Sequence, residues 1–355
     1  MNPRLEVNVG GVRLANPIIC GSGEHLIEPS GVLAAIEHGA GAVVVKSTNE
    51  SEAARAQLAK TDYALFDSTW QRLPWDFAPA ADASLLNRSG LFPRSYESWL
   101  QQTADLVAQQ GPSVVVPSII PASYEHASTL AAEVVSVTGC KAIEVNIGAP
   151  HGRQAAPGAI ALESDPDRVF ALVTQIRQVI DVPMWVKLTG QSDDVAALAA
   201  AAFDAGADAA TLMGRFMAFL PNLETQAPEL GTMAAFGGGW ALPLTCRWLA
   251  LTRAQVGSSR ALMATNGARN GLDVARFLLA GASAVQMNSA VFTGGFGVVR
   301  RSIDELDAYL SAQGDTATGL VGRAADRLQA YSEQTEDAER WQEFVPPQSR
   351  PATES

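Results

Sequence analysis

The sequence predicts an α/β protein, a parallel (β/α)8 barrel of the TIM type with an N-terminal β-hairpin and an excursion over the barrel mouth. Three observations carry this. Short apolar runs that stop at small or polar residues alternate eight times with amphipathic segments, the pattern of strand–helix units around a parallel barrel. The stretch Met263 to Ala290 reads strand, Gly-bearing turn, helix, Gly turn, strand, which sets Asn266-Gly267 and Asn288-Ser289-Ala290 side by side on one rim. Backbone N–H groups and a hydroxyl at such a rim suit a phosphate, and the ends of strands seven and eight are the usual phosphate site of such barrels. An ordinary βαβ unit would use the same glycines only for tight turns. Finally, 355 residues, 47% hydrophobic and 17% charged, are enough for one large barrel core.

Taken in order, residues 4–16 alternate around Gly10-Gly11 as a hairpin able to plug the barrel bottom. Pro17 to Cys20 is a first buried strand, ending at Gly21-Ser22-Gly23. A helix near 31–38 leads to a second strand over 41–46, with Lys46 at its end. Residues 60–93 lack a clean period and carry Tyr63, Phe66, Trp70, Trp75 and Phe77, which marks the excursion. A helix over 95–109, a strand over 113–116, a helix over 124–136 and a strand over 142–146 follow. A long loop then runs from His151 to Ser164. Asp165-Pro166-Asp167 reads as N-cap, N1 proline and acidic first turn of a helix to about Ile180. The next strand, 183–187, ends in Lys187. A helix over 194–205 and a strand over 209–213 precede a second long loop, 214–240, with Gly237-Gly238-Gly239. A helix over 243–255, the opening stretch and a last helix over 299–312 complete the barrel. Residues 1–315 therefore form one domain, and 316–355 a C-terminal helix and polar tail packed through Trp341 and Phe344.

A net charge of −12 argues against nucleic acid or anionic membrane as partner. Cys20, Cys140 and Cys246 are scattered, with no Cys-x-x-Cys, so no metal site or iron–sulfur cluster is expected from thiolates. The N-terminus has no apolar leader-like run, and the expected location is cytoplasmic.

Chemistry in such barrels sits at the C-terminal ends of the strands. Those positions hold Ser22, Lys46, Ser118, Asn146, Lys187, Gly214-Arg215, Asn266-Gly267 and Ser289. Only four lysines occur, at positions 46, 60, 141 and 187, and two of them fall at strand ends. An electropositive, donor-rich pocket of this kind suits a planar, carbonyl-bearing, phosphorylated cofactor.

These residues fall into a known pattern. Asn16-Pro-Ile-Ile, Gly21-Ser22-Gly23, Lys46-Ser47, Asn87-x-x-Gly90-Leu91, Glu144-Val-Asn146, Pro183-Met-Trp-Val-Lys187, the three-glycine run and Thr265-Asn-Gly267 occur in fixed order. Over about Val7 to Ile303 the chain thereby resembles the flavin (FMN) barrel of dihydroorotate dehydrogenases. Within that superfamily it is similar to the flavin domain of dihydropyrimidine dehydrogenases. The resemblance implies that Gly21, Ser22, Gly23, Lys46, Ser47, Asn146 and Lys187 contact the flavin. It implies that Gly238, Gly239, Asn266, Gly267, Ser289 and Ala290 hold its phosphate, and that Asn87, Gly90, Leu91 and Asn146 face the substrate. A cation at the pyrimidine end, Lys187 above all, would stabilise the charge that develops on reduction. A homodimer is expected by the same analogy.

The chain departs from the pattern in two places. Ala149 stands where the soluble dihydroorotate enzymes place a proton-abstracting Cys, and the loop from His151 to Glu163 has no Cys or Ser. Gly214-Arg215 replaces an Asn-Thr pair that contacts the substrate ring. Arg215 instead offers a fork for an anion. His151, whose imidazole titrates near neutrality, becomes the first candidate for the proton, ahead of Glu163. His25 and His126 lie near strand ends and could reach the rim, whereas His38 reads as an exposed helix residue. Three readings follow: an FMN oxidoreductase acting on CH–CH or CH–NH groups of a small anionic or heterocyclic compound other than dihydroorotate; the FMN-carrying subunit of an NAD(P)H-dependent complex with an iron–sulfur electron-transfer partner; or a non-catalytic barrel scaffold.

Overall fold

The computed structural model describes residues 2–148 and 164–349. Strands β1 (Val7–Val9) and β2 (Val12–Leu14) form the N-terminal hairpin, paired Val7 to Leu14. Its turn puts Gly10 and Gly11 at φ +54° and +86°, the double left-handed turn that favours glycine. A Cβ on Gly10 would lie 2.5 Å from the Asp208 carbonyl oxygen, so the turn sits hard against the N-terminal end of a barrel strand. The hairpin closes the bottom.

The barrel strands are β3 (Ile18–Cys20), β4 (Ala42–Val44), β8 (Val114–Val116) with β9 (Ser118–Ile119), β10 (Ile143–Asn146), β11 (Met184–Lys187), β12 (Ala209–Leu212), β15 (Ala261–Thr265) and β16 (Ala282–Met287). All pair in parallel, and β16 returns to β3. β8 and β9 are one strand interrupted at Pro117, whose missing N–H breaks the ladder: its first half pairs with β4 and its second with β10. The ring is therefore closed with eight strands, and nearly every residue in them is buried, as expected of strands covered on both faces.

The outer helices begin where the local chemistry says they should. In α2 (Tyr96–Ala108), Ser95 caps the Ser98 N–H. In α3 (Tyr124–Thr138), Ser123 caps the His126 N–H, and Gly139 ends the helix at φ +59°. Asp165 caps α4 (Pro166–Arg177), whose first residue is the proline. Asp194 and Asn270 cap α5 (Val195–Asp204) and α7 (Gly271–Leu279). The remaining helices are α1 (Pro29–Glu37), α6 (Leu242–Val256), α8 (Ser289–Gly294) and α9 (Gly297–Gln313).

Two segments read as excursion and long loop form a second sheet. β5 (Asp62–Phe66), β6 (Arg72–Leu73) and β7 (Ser84–Arg88) pair antiparallel with β13 (Met217–Ala218) and β14 (Ala234–Gly238), in the order β13-β14-β7-β5-β6. The joining register, Asn87 to Ala235 and Leu85 to Gly237, links segments far apart in the chain. Neither segment could show this alone, because the pairing partner lies 148 residues away: Asn87 opposes Ala235. After Gln313, a short turn of helix at Ala317–Leu320 joins the main core, and Gly322 N–H bonds back to Leu278. Trp341 and Phe344 are 50% and 73% exposed, so the expectation that they pack the tail down is not met.

Candidate active site

One cleft, with a cavity volume of about 110 Å³, opens where the barrel's C-terminal rim meets the second sheet. The barrel contributes Ser22, Lys46, Lys187, Arg215, Asn266, Gln286 and Ser289, and the sheet contributes Tyr63, Leu85, Asn87, Ala235 and Gly237. A second cleft adjoins it and shares Leu85, Gly237, Ala268 and Ser289; Gly238, Arg269 and Ala290 line its far part.

Both lysines at strand ends are nearly out of solvent, at 6% exposure each. Lys187 donates to Gln286 Oε1 at 2.7 Å, and the Gln286 amide donates to Glu144 Oε2 at 2.6 Å. Burial drives the Lys187 ammonium below its ordinary pKa, Glu144 opposes this, and Arg215 adds to it. Lys46 donates to Glu24 Oε1 at 3.0 Å, and its carbonyl accepts from the Trp99 indole at 2.7 Å, which pins the strand end to α2. Burial lowers Lys46 as well, opposed by the Glu24 charge. Burial alone would raise the Glu24 carboxyl; the Lys46 charge and hydrogen bond and the Gly90 N–H outweigh it and bring the carboxyl below its usual range. Arg215 donates to Ser89 Oγ at 2.7 Å, with burial lowering it and Glu24 and Tyr63 acting in the other direction. The Tyr63 ring lines the same cleft, and burial, with the Glu24 charge assisting, raises the pKa of its hydroxyl.

The rim turn predicted from sequence is present: Asn266 sits at φ +67°, and Gly267 at +120° packs so closely on the start of α6 that a Cβ would meet Leu242 at 2.7 Å. Asn266 Nδ2 donates to the Met213 carbonyl at 3.2 Å. A model of the dihydroorotate dehydrogenase family matches residues 72–310 of this chain.

The chain belongs to the dihydroorotate dehydrogenase family. Among the curated relatives it is similar to the catalytic subunit of dihydroorotate dehydrogenase B (NAD(+)) from Pyrococcus abyssi (strain GE5 / Orsay), 27% identical over 322 residues, covering 90% of this chain and 99% of the other. The corresponding protein of Methanothermobacter thermautotrophicus is 28% identical over 327 residues, covering 91% and 99%. That of Geobacter sp. (strain M21) is 29% identical over 242 residues, covering 67% and 76%.

Ser22, Lys46, Asn87, Lys187, Arg215, Asn266, Gly267 and Ser289 meet in the first cleft, and Gly238 and Ala290 in the second. Gly21 continues β3 by donating to the Met287 carbonyl, and at Gly23 a Cβ would lie 2.6 Å from Asn288 Oδ1. Ser47 is buried behind Ser22, and Gly239 opens the turn before α6 against the Arg269 side chain. Asn146 ends β10 in register with Lys187 and accepts from the Gly148 N–H. Gly90 acts through its N–H on Glu24. The Leu91 side chain is 1% exposed and packs with Ala54 and Ile120 in a small core of its own. His151, Glu163 and Ala149 lie outside the described residues.

His25 does not reach the rim. Its ring is buried between Phe292 and Phe296, with Nε2 3.5 Å from Cys20 Sγ, and burial lowers its pKa to about 4. His126 is exposed at the start of α3 beside Ser123, and His38 is half-buried, bonded to the Ala34 carbonyl. Sequence reasoning gave no site role to Glu24, Tyr63, Ser89 or Gln286, all of which line the cleft. Glu144 and Gln286 had a signal: each is a large polar residue between apolar neighbours in a barrel strand. None of the three cysteines lines the cleft. Among the described residues no helix is long and apolar enough to cross a membrane.

Proposed function

We propose that this chain is the FMN-bearing catalytic subunit of a two-component oxidoreductase, working with an electron-transfer partner protein on a small anionic or heterocyclic substrate other than dihydroorotate. The observation that carries this reading is the convergence of two buried lysines and Arg215 on one cleft beside a left-handed Asn-Gly rim. The names of the relatives, each a catalytic subunit of an NAD(+)-type enzyme, support the partner.

The residues present suit the cofactor. Backbone N–H groups around Gly238, Gly267 and Ala290 would take its phosphate, and Lys187 and Lys46 would meet its pyrimidine end. When bound, FMN supplies a two-electron acceptor or donor. Lys187 contributes fixed positive charge where negative charge grows, and does so in a site from which water is largely excluded. Arg215, which donates to Ser89 Oγ, would orient an anionic group of the substrate. No thiol lines the cleft, and we assign the companion proton to His151 on sequence grounds.

The test is spectroscopic. The purified chain should bind FMN, turn yellow and bleach anaerobically with its substrate, while NAD(P)H should reduce it only when the partner is added. A chain that takes up no FMN overturns the reading, and direct reduction by NAD(P)H at a catalytic rate overturns the need for a partner.

A further inference from the structure

A hydrogen-bonded chain of buried polar side chains runs through the barrel interior and surfaces in the cleft at both ends. From Lys187 it passes to Gln286 on β16 at 2.7 Å and to Glu144 on β10 at 2.6 Å. From the other carboxylate oxygen it continues to Ser118 Oγ at 2.9 Å, Ser47 Oγ at 2.8 Å and Ser22 Oγ at 3.0 Å. Glu144 and Ser118 are wholly buried, Gln286 is 1% exposed and Ser47 3%. Glu144 itself lines no part of the cleft, yet Lys187, Gln286 and Ser22 all do.

Each member's polarity follows from the carboxylate. A carboxylate only accepts, so Ser118 must donate to it, and Ser118 can then only accept from Ser47. Ser47 in turn accepts from Ser22, whose single proton is thereby turned inward, while the Ser47 N–H also donates to Ser22 Oγ at 3.0 Å. Ser22 is left with a lone pair for the cleft. On the other arm the Gln286 amide must point its N–H₂ at Glu144, which aims its oxygen at the Lys187 ammonium. Buried networks satisfied in this way hold their members in one arrangement.

We propose that Glu144 is a positioning residue for this cleft: through Gln286 it keeps the Lys187 ammonium charged and aimed, and through Ser118 and Ser47 it makes Ser22 a hydrogen-bond acceptor. The ligand edge that fits is an imide-like one, with a carbonyl toward Lys187 and an N–H toward Ser22. This rests on the flavin reading for the identity of the ligand, but not for the state of Lys187. The charges that face Lys187 are Glu144 from the interior and Arg215 and Lys46 from the cleft side, with Glu24 beyond Lys46.

The test needs no cofactor. The full-length protein is pulsed with acetic anhydride over a range of pH, and acetylation of Lys187 is read by peptide mass spectrometry against exposed Lys141. Only the neutral amine reacts. In Glu144→Gln the whole Lys187 profile should move to lower pH by about one unit, a rate about tenfold higher at neutral pH. Glu144→Asp, which keeps the charge, should stay near the wild type. Gln286→Met removes the bridge and keeps the carboxylate, and should shift the profile in the same direction; it also decides the matter if Glu144→Gln does not fold. A profile raised equally at all pH values, or left where it was, overturns the Lys187 half of the proposal. Ser118→Ala cuts only the seryl arm: it should leave the Lys187 profile in place and weaken FMN binding, read by flavin fluorescence quenching, by about tenfold. Unchanged affinity overturns the Ser22 half. A wild-type chain that never quenches FMN overturns the flavin reading and leaves the labelling result standing.

Discussion

Lys46 Nζ and Glu24 Oε1 meet at 3.0 Å, with side-chain exposures of 7% and 18%, and the Gly90 N–H adds a second bond to the same oxygen. The pair joins the ends of the first two barrel strands to the approach from the second sheet. Removing one partner of a buried pair leaves the other charge without compensation.

Glu24→Gln should therefore lower stability by about 3–5 kcal/mol in urea unfolding at neutral pH. The folded Glu24 carboxyl lies below its ordinary value, so its contribution is present above the unfolded pKa and is lost as pH falls through the folded one. The gap between wild type and variant should accordingly narrow in strong acid. A constant gap would mean that Glu24 acts through packing.

His25 gives a separate pH signature. Burial holds its folded pKa at about 4 against an ordinary 6.5, with the neighbouring Glu24 charge opposing and Lys46 assisting. The unfolded chain binds the extra proton between those values, so stability should rise with pH across that window, by at most about 3 kcal/mol. Unfolding measured at several pH values should show the slope in wild type and lose it in His25→Phe, whose ring can pack against Phe292 and Phe296.

Asn266 occupies the left-handed region at φ +67°. Asn266→Val should cost about 1–2 kcal/mol, since a side chain branched at Cβ crowds the following carbonyl there. Asn266→Gly should cost less, losing chiefly the bond from Nδ2 to the Met213 carbonyl. Thermal melts of the two variants give the order, and the reverse order would contradict the assigned turn.

Lys187→Met should slow reduction of the bound flavin by substrate by about 10²–10³-fold in anaerobic stopped flow. It should also destabilise the fold, because Glu144 is left wholly buried without its cation. Adding Glu144→Gln to the same chain should recover part of that stability, a coupling visible in a double-mutant cycle. Undiminished flavin reduction would remove Lys187 from the chemistry.

Much of the barrel could be read from the residues because its signals are local. Strand runs such as Val114-Val115-Val116, the Asp165 cap and the Gly10-Gly11 turn each act within a few residues of themselves. The two lysines stood out for the same reason, as rare charges at the ends of apolar strands. Leu91 marks a limit, since an apolar side chain after a glycine can face either a ligand or the core, and its own neighbours in sequence do not decide which.

By itself, then, the sequence determined the parallel barrel, its hairpin plug and the set of polar residues carried to one rim, since hydrophobic period, capping and turn chemistry are short-range. Tertiary structure alone decided that residues 62–88 and 217–238 join in one sheet over that rim, that Glu24 neutralises Lys46, and that Gln286 reaches across to Glu144 and Lys187. Those contacts bring together groups far apart in the chain. Their partners are selected by burial, which makes an unpaired polar group costly, and burial exists only once the barrel has closed.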